Sequence, residues 1–117
     1  MLGQTSVRCL VTGATGQLGT ALVRALVAKG HSVTALVVVD DPWAALAFAG
    51  LQVRQVTGNI LARGSLPPEQ FDWVFHLAAL ADIVPSIQDP AAYFHSNVDG
   101  TFNVLQASLK AGVGRFV

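Results

Sequence analysis

Charge is scarce in this chain. Of 117 residues only 12% are Asp, Glu, Lys or Arg, and seven positive groups balance seven negative ones. No Lys/Arg run or basic patch stands out, which argues against nucleic-acid binding by phosphate neutralisation. Cysteine occurs once, at Cys9, so no internal disulfide can form. Its place in an apolar strand pattern makes it a core residue. No apolar run approaches the roughly 18 residues of a membrane-spanning helix. The opening "MLGQTSVRCL" does not read as a signal peptide, and the expected compartment is the cytoplasm. The three histidines, His31, His76 and His95, lack metal-ligand spacing, so no metal site is expected. His76, inside an apolar strand, reads as a satisfied core histidine.

What is abundant is apolar surface, at 52% of residues, which suits a chain that is mostly core and excludes disorder. One domain is expected over 1–117. Short apolar strands alternate with helices. "VRCLVT" (Val7–Thr12) is nearly continuous in its hydrophobicity and reads as a strand covered on both faces. A helix follows, with Leu18, Leu22, Ala25 and Leu26 on one face and a stop at Lys29–Gly30. The second strand is predicted over His31–Val39. A short helix comes next, with Asp41 as N-cap, Pro42 in its first turn and Gly50 as the stop. Further strands are predicted over Leu51–Thr57 and Asp72–Ala79, with room for only a short helical turn in "SLPPEQF" between them. A loop with Pro85 and Pro90 leads to a long helix, Ala91–Ala111, and Arg115 opens a fifth strand. This alternation predicts an α/β, Rossmann-type doubly wound parallel sheet.

The segment "TGATGQLG", Thr12–Gly19, lies between a buried strand and an amphipathic helix, the context in which a glycine turn binds phosphate. Gly13 allows a sharp exit from the strand. The absent side chain at Gly16 lets a diphosphate reach the backbone, and Gly19 permits close helix–strand packing. The helix start, with Gln17 and Leu18 in its first turn, offers N–H groups and a positive dipole end. Thr15 and Gln17 can add donors. No G-K-[ST] follows, so the turn is not a P-loop.

Four stretches, "VTGATGQLG", "GNI" at 58–60, "VFHLAALADIVPS" at 74–86 and "NVDGTFNVLQASLKAGVGRFV" at 97–117, resemble the extended short-chain dehydrogenase/reductase family. The likeness is strongest to the NAD-dependent nucleotide-sugar epimerases and dehydratases, and within them to the 4-epimerase branch. It implies pyrophosphate binding by Gly13, Gly16 and Gly19. It implies an adenine contact at Asn59, beside Ile60, where relatives usually carry Asp. Leu77, Ala78 and Ala79 match the segment lining the nicotinamide side, and Asn97 matches the Asn that holds cofactor and loop, with a purely structural bridge as the alternative. On a regular helix Asn97 would share an inward face with Phe94 and Thr101. Ala81 and Ser86 match positions near the sugar nucleotide. At the end of the second strand Val37 and Val38 occupy the positions that usually choose between NAD and NADP. Asp40 and Asp41 follow, so Asp40 is assigned to the cofactor and NAD is favoured over NADP, with helix capping as the other reading of Asp41.

The family's proton chemistry uses a Ser or Thr and a Tyr-x-x-x-Lys pair. Here Tyr93 is the one tyrosine, position 97 is Asn, and the lysines are Lys29 and Lys110, so no catalytic residue is assigned. The resemblance therefore implies the incomplete N-terminal half of an NAD(P)-binding Rossmann-like domain, truncated at the start of the fifth strand, with the sugar-binding C-terminal part absent. The expected function is the NAD-binding portion of a nucleotide-sugar epimerase or dehydratase. A non-catalytic NAD(P)-binding module and a non-functional remnant stay open beside it. A homodimer through the helix near 91–111 is also implied.

Overall fold

A computed structural model describes residues 6–62, 67, 70–80 and 83–117 of the chain. Five parallel strands form one sheet: β1 (Arg8–Thr12), β2 (Ser32–Val37), β3 (Val53–Thr57), β4 (Trp73–His76) and β5 (Arg115–Phe116), in the order β3-β2-β1-β4-β5. The helices are α1 (Gln17–Ala28), α2 (Ala44–Ala47), α3 (Ile83–Gln88), α4 (Pro90–Phe94) and α5 (Gly100–Lys110), with a wide i→i+5 turn over His95–Asp99 joining the last two.

Strand alternation explains why both faces of the sheet are covered. Cys9 and Val11 of β1 and Val33, Ala35 and Val37 of β2 face one side, where Val23 and Leu26 of α1 and Phe48 close the core. Leu10 and Leu36 face the other side, against Phe71, Val74 and Val104 of α5. Fully burying one such Leu or Val side chain contributes about 1.5–3 kcal/mol. Cys9 is wholly buried, and burial, with a smaller push from the Asp72 charge, raises its thiol to about 11. The thiol therefore stays neutral and packs as a small hydrophobe.

The main departures from expectation have local causes. The buried stripe of α1 is Gly19, Val23 and Leu26; Leu18 is 67% exposed and Ala25 is also outside. Apolar residues surround much of this helix, so periodicity alone left its rotation open. β2 stops at Val37, where β3 ends its pairing at Thr57, and Val38 and Val39 are exposed. α2 is one turn long and begins at Ala44, not after Asp41. β4 ends at His76, so Leu77–Ala79 form the turn beyond the strand and not its last residues. Pro90 starts α4, with Asp89 accepting from the Ala92 N–H at 3.1 Å. The wide turn after α4 alters the helical register. At about 100° per residue, positions 94 and 101 would share a face. Here Phe94 is 62% exposed, whereas Thr101 turns inward. Most of "SLPPEQF" lies outside the described residues.

Candidate functional site

In an open parallel sheet, a crevice forms beyond the carboxyl ends of the strands where strand order reverses. Here that point lies between β1 and β4. A cleft of about 370 Å³ opens there, lined by Gly13, Thr15 and Gly16 from the glycine turn, Leu36–Val38 and Asp41 at and beyond the end of β2, Gly58–Leu61 beyond β3, Leu77–Leu80 beyond β4, and Ser96. Five separate segments thus converge on one groove.

Gly13 leaves β1 with φ +64°, and a Cβ there would lie 2.6 Å from both the Ala78 nitrogen and the Leu77 carbonyl carbon. Glycine is required twice over at this position, by backbone conformation and by the turn after β4. A Cβ on Gly19 would sit 2.1 Å from the Gly13 oxygen, so Gly19 lets α1 close onto the turn itself. Gly16 differs. Its φ of −73° suits any residue, and a Cβ would meet only the Gly13 oxygen, at 3.4 Å. Neither conformation nor packing demands glycine there; a bare backbone at the cleft wall leaves room for a ligand to approach.

Gly16 is also the N-cap of α1, and no side chain caps that end. The first N–H groups of a helix lack partners within it, so Gln17, Leu18 and Gly19 present a donor set suited to an anion. The glycine turn therefore fits the diphosphate of a dinucleotide. Gln17 and Leu18 are exposed and Gly19 is buried behind the turn; none of the three lines the cleft.

The two acids beyond β2 separate clearly. Asp40 takes a positive φ of 60° at an exposed turn and does not line the cleft. Asp41 does. Its carboxylate accepts from the Thr15 hydroxyl at 2.7 Å and from the Trp43 N–H at 2.9 Å. It thus ties the glycine turn to the β2 loop and also caps that loop. Asn59 lines the cleft, and its side-chain oxygen accepts from the Leu61 N–H at 2.9 Å, a contact that shapes its own turn.

The loop beyond β4 is held by side chains. The Leu77 and Ala78 N–H groups donate to the Thr12 hydroxyl at 3.1 and 3.2 Å. At the other end Asn97 accepts from the Leu80 N–H and donates to its carbonyl, each at 2.9 Å. Asn97 therefore grips the loop and is not among the residues lining the cleft. Thr12, wholly buried, contacts His76 Nδ1 at 2.7 Å, and His76 Nε2 contacts Thr101 at 2.9 Å. Burial lowers the pKa of His76. Asn103 donates to the carbonyl of Ile60 at 3.0 Å and steadies the β3 loop. Ser86 lies on α3, outside the cleft lining, and Ala81 lies outside the described residues.

Sequence reasoning therefore placed Gly13, Thr15, Gly16, Asn59, Ile60 and Leu77–Ala79 in one groove. It missed Thr12, Thr101 and Ser96, and treated His76 only as core. For Thr12 and His76 the available signal was a polar residue closing the apolar "VRCLVT" and "VFH" runs at their carboxyl ends. Among the described residues no group of three or more His, Cys, Asp or Glu could hold a metal ion, and no helix is long and apolar enough to cross a membrane.

This architecture, a parallel sheet with a glycine turn at its switch point, is the Rossmann-like class. Residues 9–117 match the NAD dependent epimerase/dehydratase family, and the chain belongs to it. It is 36% identical to a UDP-N-acetyl-alpha-D-glucosaminuronate decarboxylase from Bacillus cytotoxicus, over 88% of this chain and 33% of that protein. It is 40% identical to sterol demethylase protein B from Methylococcus capsulatus, over 92% of this chain and 32% of that protein. Among solved structures, UDP-glucose-4-epimerase from Stenotrophomonas maltophila, with bound NAD and formylated UDP-arabinopyranose, superposes with a TM-score of 0.81 at 28% identity. That match covers 92% of this chain and 34% of the other. The chain thus spans about a third of the length of the curated relatives it matches.

Proposed function

We propose that residues 1–117 supply the NAD-binding part of a nucleotide-sugar epimerase or dehydratase, one that works by transient hydride transfer from a sugar hydroxyl carbon to NAD. The carrying observation is Gly16, a glycine that neither its φ nor its packing requires, at the uncapped start of α1 on the cleft wall. On this reading Gly13, Thr15 and Gly16 with the first turn of α1 hold the pyrophosphate. Asn59 and Ile60 take the adenine, Leu77–Ala79 the nicotinamide side, and Ala81 and Ser86 the approach of the sugar. The carboxylate of Asp41 supports NAD over NADP, because it can accept from a ribose 2′-OH and repels a 2′-phosphate. The setting we propose is the cytoplasm.

Calorimetric titration of the chain with NAD, and with NADP in parallel, tests this. One-to-one NAD binding that is lost in Gly16→Val and is stronger than NADP binding is expected. A folded chain that binds neither dinucleotide overturns it. The alternative reading is a non-catalytic NAD(P)-binding module. Full NAD binding without sugar-nucleotide-dependent NADH formation would select it. We also assign a homodimer contact to the stripe of exposed Phe102, Leu105 and Leu109 on one face of α5, with exposed Val98 in the turn before it. A monomer by sedimentation at micromolar concentration would remove that assignment.

A further inference from the structure

The loop that forms the β4 side of the cleft has a hub behind it. Thr101 donates its one hydroxyl proton to the Asn97 carbonyl at 2.6 Å. The contact between His76 Nε2 and Thr101 at 2.9 Å must then be an Nε2–H donating to the Thr101 oxygen. On the opposite edge of the ring the Thr12 oxygen already accepts from two backbone N–H groups, Leu77 and Ala78. Its own proton is left to donate to Nδ1 at 2.7 Å. The network thus fixes one tautomer of His76, neutral with the proton on Nε2. The ring lies 6.2 Å from that of Phe116.

We propose that His76 is the positioning residue of the cleft: in its neutral Nε2–H form it orients the Thr12 hydroxyl that holds Leu77 and Ala78, and its protonation releases the loop and weakens ligand binding. A proton on Nδ1 would point at an oxygen that already accepts two donors, and the Thr12 hydroxyl would lose its acceptor. A site whose wall is a backbone turn is sensitive to this, because that turn also packs within 2.6 Å of where a Gly13 Cβ would be.

Most of the charged and titratable groups on the neighbouring elements are engaged elsewhere. Arg8 of β1 pairs with Asp72 at the far end of the strands. Cys9 is neutral, Arg115 of β5 lies over Trp73, and His95 pairs with Asp99 on the exposed side of the helix. Tyr93 and Lys110 complete the set on α4 and α5. No charge contributes to the lowered pKa of His76; desolvation does. The neutral form is therefore held above about pH 6.5, the ordinary histidine value, and lost as pH falls through the lower folded value.

The consequence for a ligand rests on the dinucleotide reading; the hub itself does not. Two measurements on the full chain keep them apart. Side-chain ¹⁵N spectra report the tautomer, and the Leu77 and Ala78 amide signals are followed from pH 8 to 5. A protonated Nε2 at pH 8 and amide shifts that track the His76 titration are expected. An Nδ1–H tautomer, or amides that ignore the titration, overturns the proposal. In the second measurement NAD is titrated at each pH. Affinity should hold down through pH 6.5 and fall only as pH drops through the lower folded value of His76, and His76→Phe should bind about tenfold more weakly at pH 8. His76→Asn keeps an acceptor near the Nδ1 position and should bind close to the wild type with no pH step. A pH step retained in His76→Asn overturns the assignment to His76. If the amides track His76 and NAD does not bind at any pH, the dinucleotide reading fails and the hub stands.

Discussion

Two walls of the cleft are built by opposite means. The glycine turn after β1 is made of backbone: its shape depends on side chains that are missing, at Gly13 and Gly19, and no side chain caps the helix it opens. The turn after β4 is made by side chains. Thr12, His76, Thr101 and Asn97 come from β1, β4, α5 and the wide turn before α5, and suspend Leu77–Leu80 between them. A wall made of backbone is rigid because nothing in it can rotate away. A wall held by a network is adjustable, because one proton can rewire it. The two meet where Gly13 packs against Leu77 and Ala78.

Substitutions should separate the two kinds of wall. Gly19→Ala should do the most damage, since its Cβ would lie 2.1 Å from a carbonyl oxygen and only backbone can yield. A loss of roughly 3–5 kcal/mol is expected in urea unfolding, a large share of a small domain's stability. Thr12→Val keeps the shape and removes the hydroxyl, leaving the Ala78 N–H without its acceptor. About 2 kcal/mol is expected, again from the unfolding midpoint. Asn97→Ala frees both polar groups of Leu80 at a less buried site, and should cost about 1 kcal/mol with a several-fold drop in NAD affinity by calorimetry. If Thr12→Val and Asn97→Ala leave the unfolding midpoint unchanged, the β4 wall is not held by its network.

Gly16→Ala sharpens the comparison differently. Its backbone angles and surroundings tolerate a methyl group, so stability should change by less than about 1 kcal/mol. Cofactor affinity should fall at least tenfold, because the methyl occupies the ligand's side of the turn. Equal losses of folding and binding would show that Gly16 serves the fold instead. Away from both walls, Asp72 joins β4 to β1 by accepting from the Arg8 N–H at 2.8 Å and from its guanidinium at 3.4 Å. The backbone hydrogen bond, then the side-chain one, lowers its pKa. Its contribution is present above the ordinary value of 3.8 and disappears as pH falls through the lower folded value. Asp72→Asn should therefore flatten the acid limb of thermal unfolding below about pH 4 and leave the neutral limb's slope unchanged. The smallest effect is Asp40→Gly, which relieves a positive φ of 60° and should stabilise by under about 1 kcal/mol, read as a small rise in melting temperature.

Much of the β1 wall was legible in the sequence because absence is a local signal. A missing Cβ is written at its own position, and its spacing from a strand and a helix is read directly. The sheet was legible for a similar reason, since a strand buried on both faces needs an unbroken apolar run such as that of Cys9–Val11. The β4 wall was not. Thr12 and His76 lie 64 residues apart, and His76 and Thr101 lie 25 apart, so no window of sequence contains the hub. Asp40 and Asp41 show the same limit at a spacing of one residue. The sequence offered two adjacent acids, and a positive φ at the first sends only the second into the cleft.

The sequence by itself determined the alternation of elements, the two-faced burial of the central strands and the position of the glycine turn. Each of these depends on the residue's own size or polarity and that of its near neighbours. The tertiary structure alone decided which acid faces the cleft, which way α1 and the last helix are turned, and how His76 is protonated. Those outcomes depend on packing and hydrogen-bond partners that the parallel order β3-β2-β1-β4-β5 brings together from distant parts of the chain.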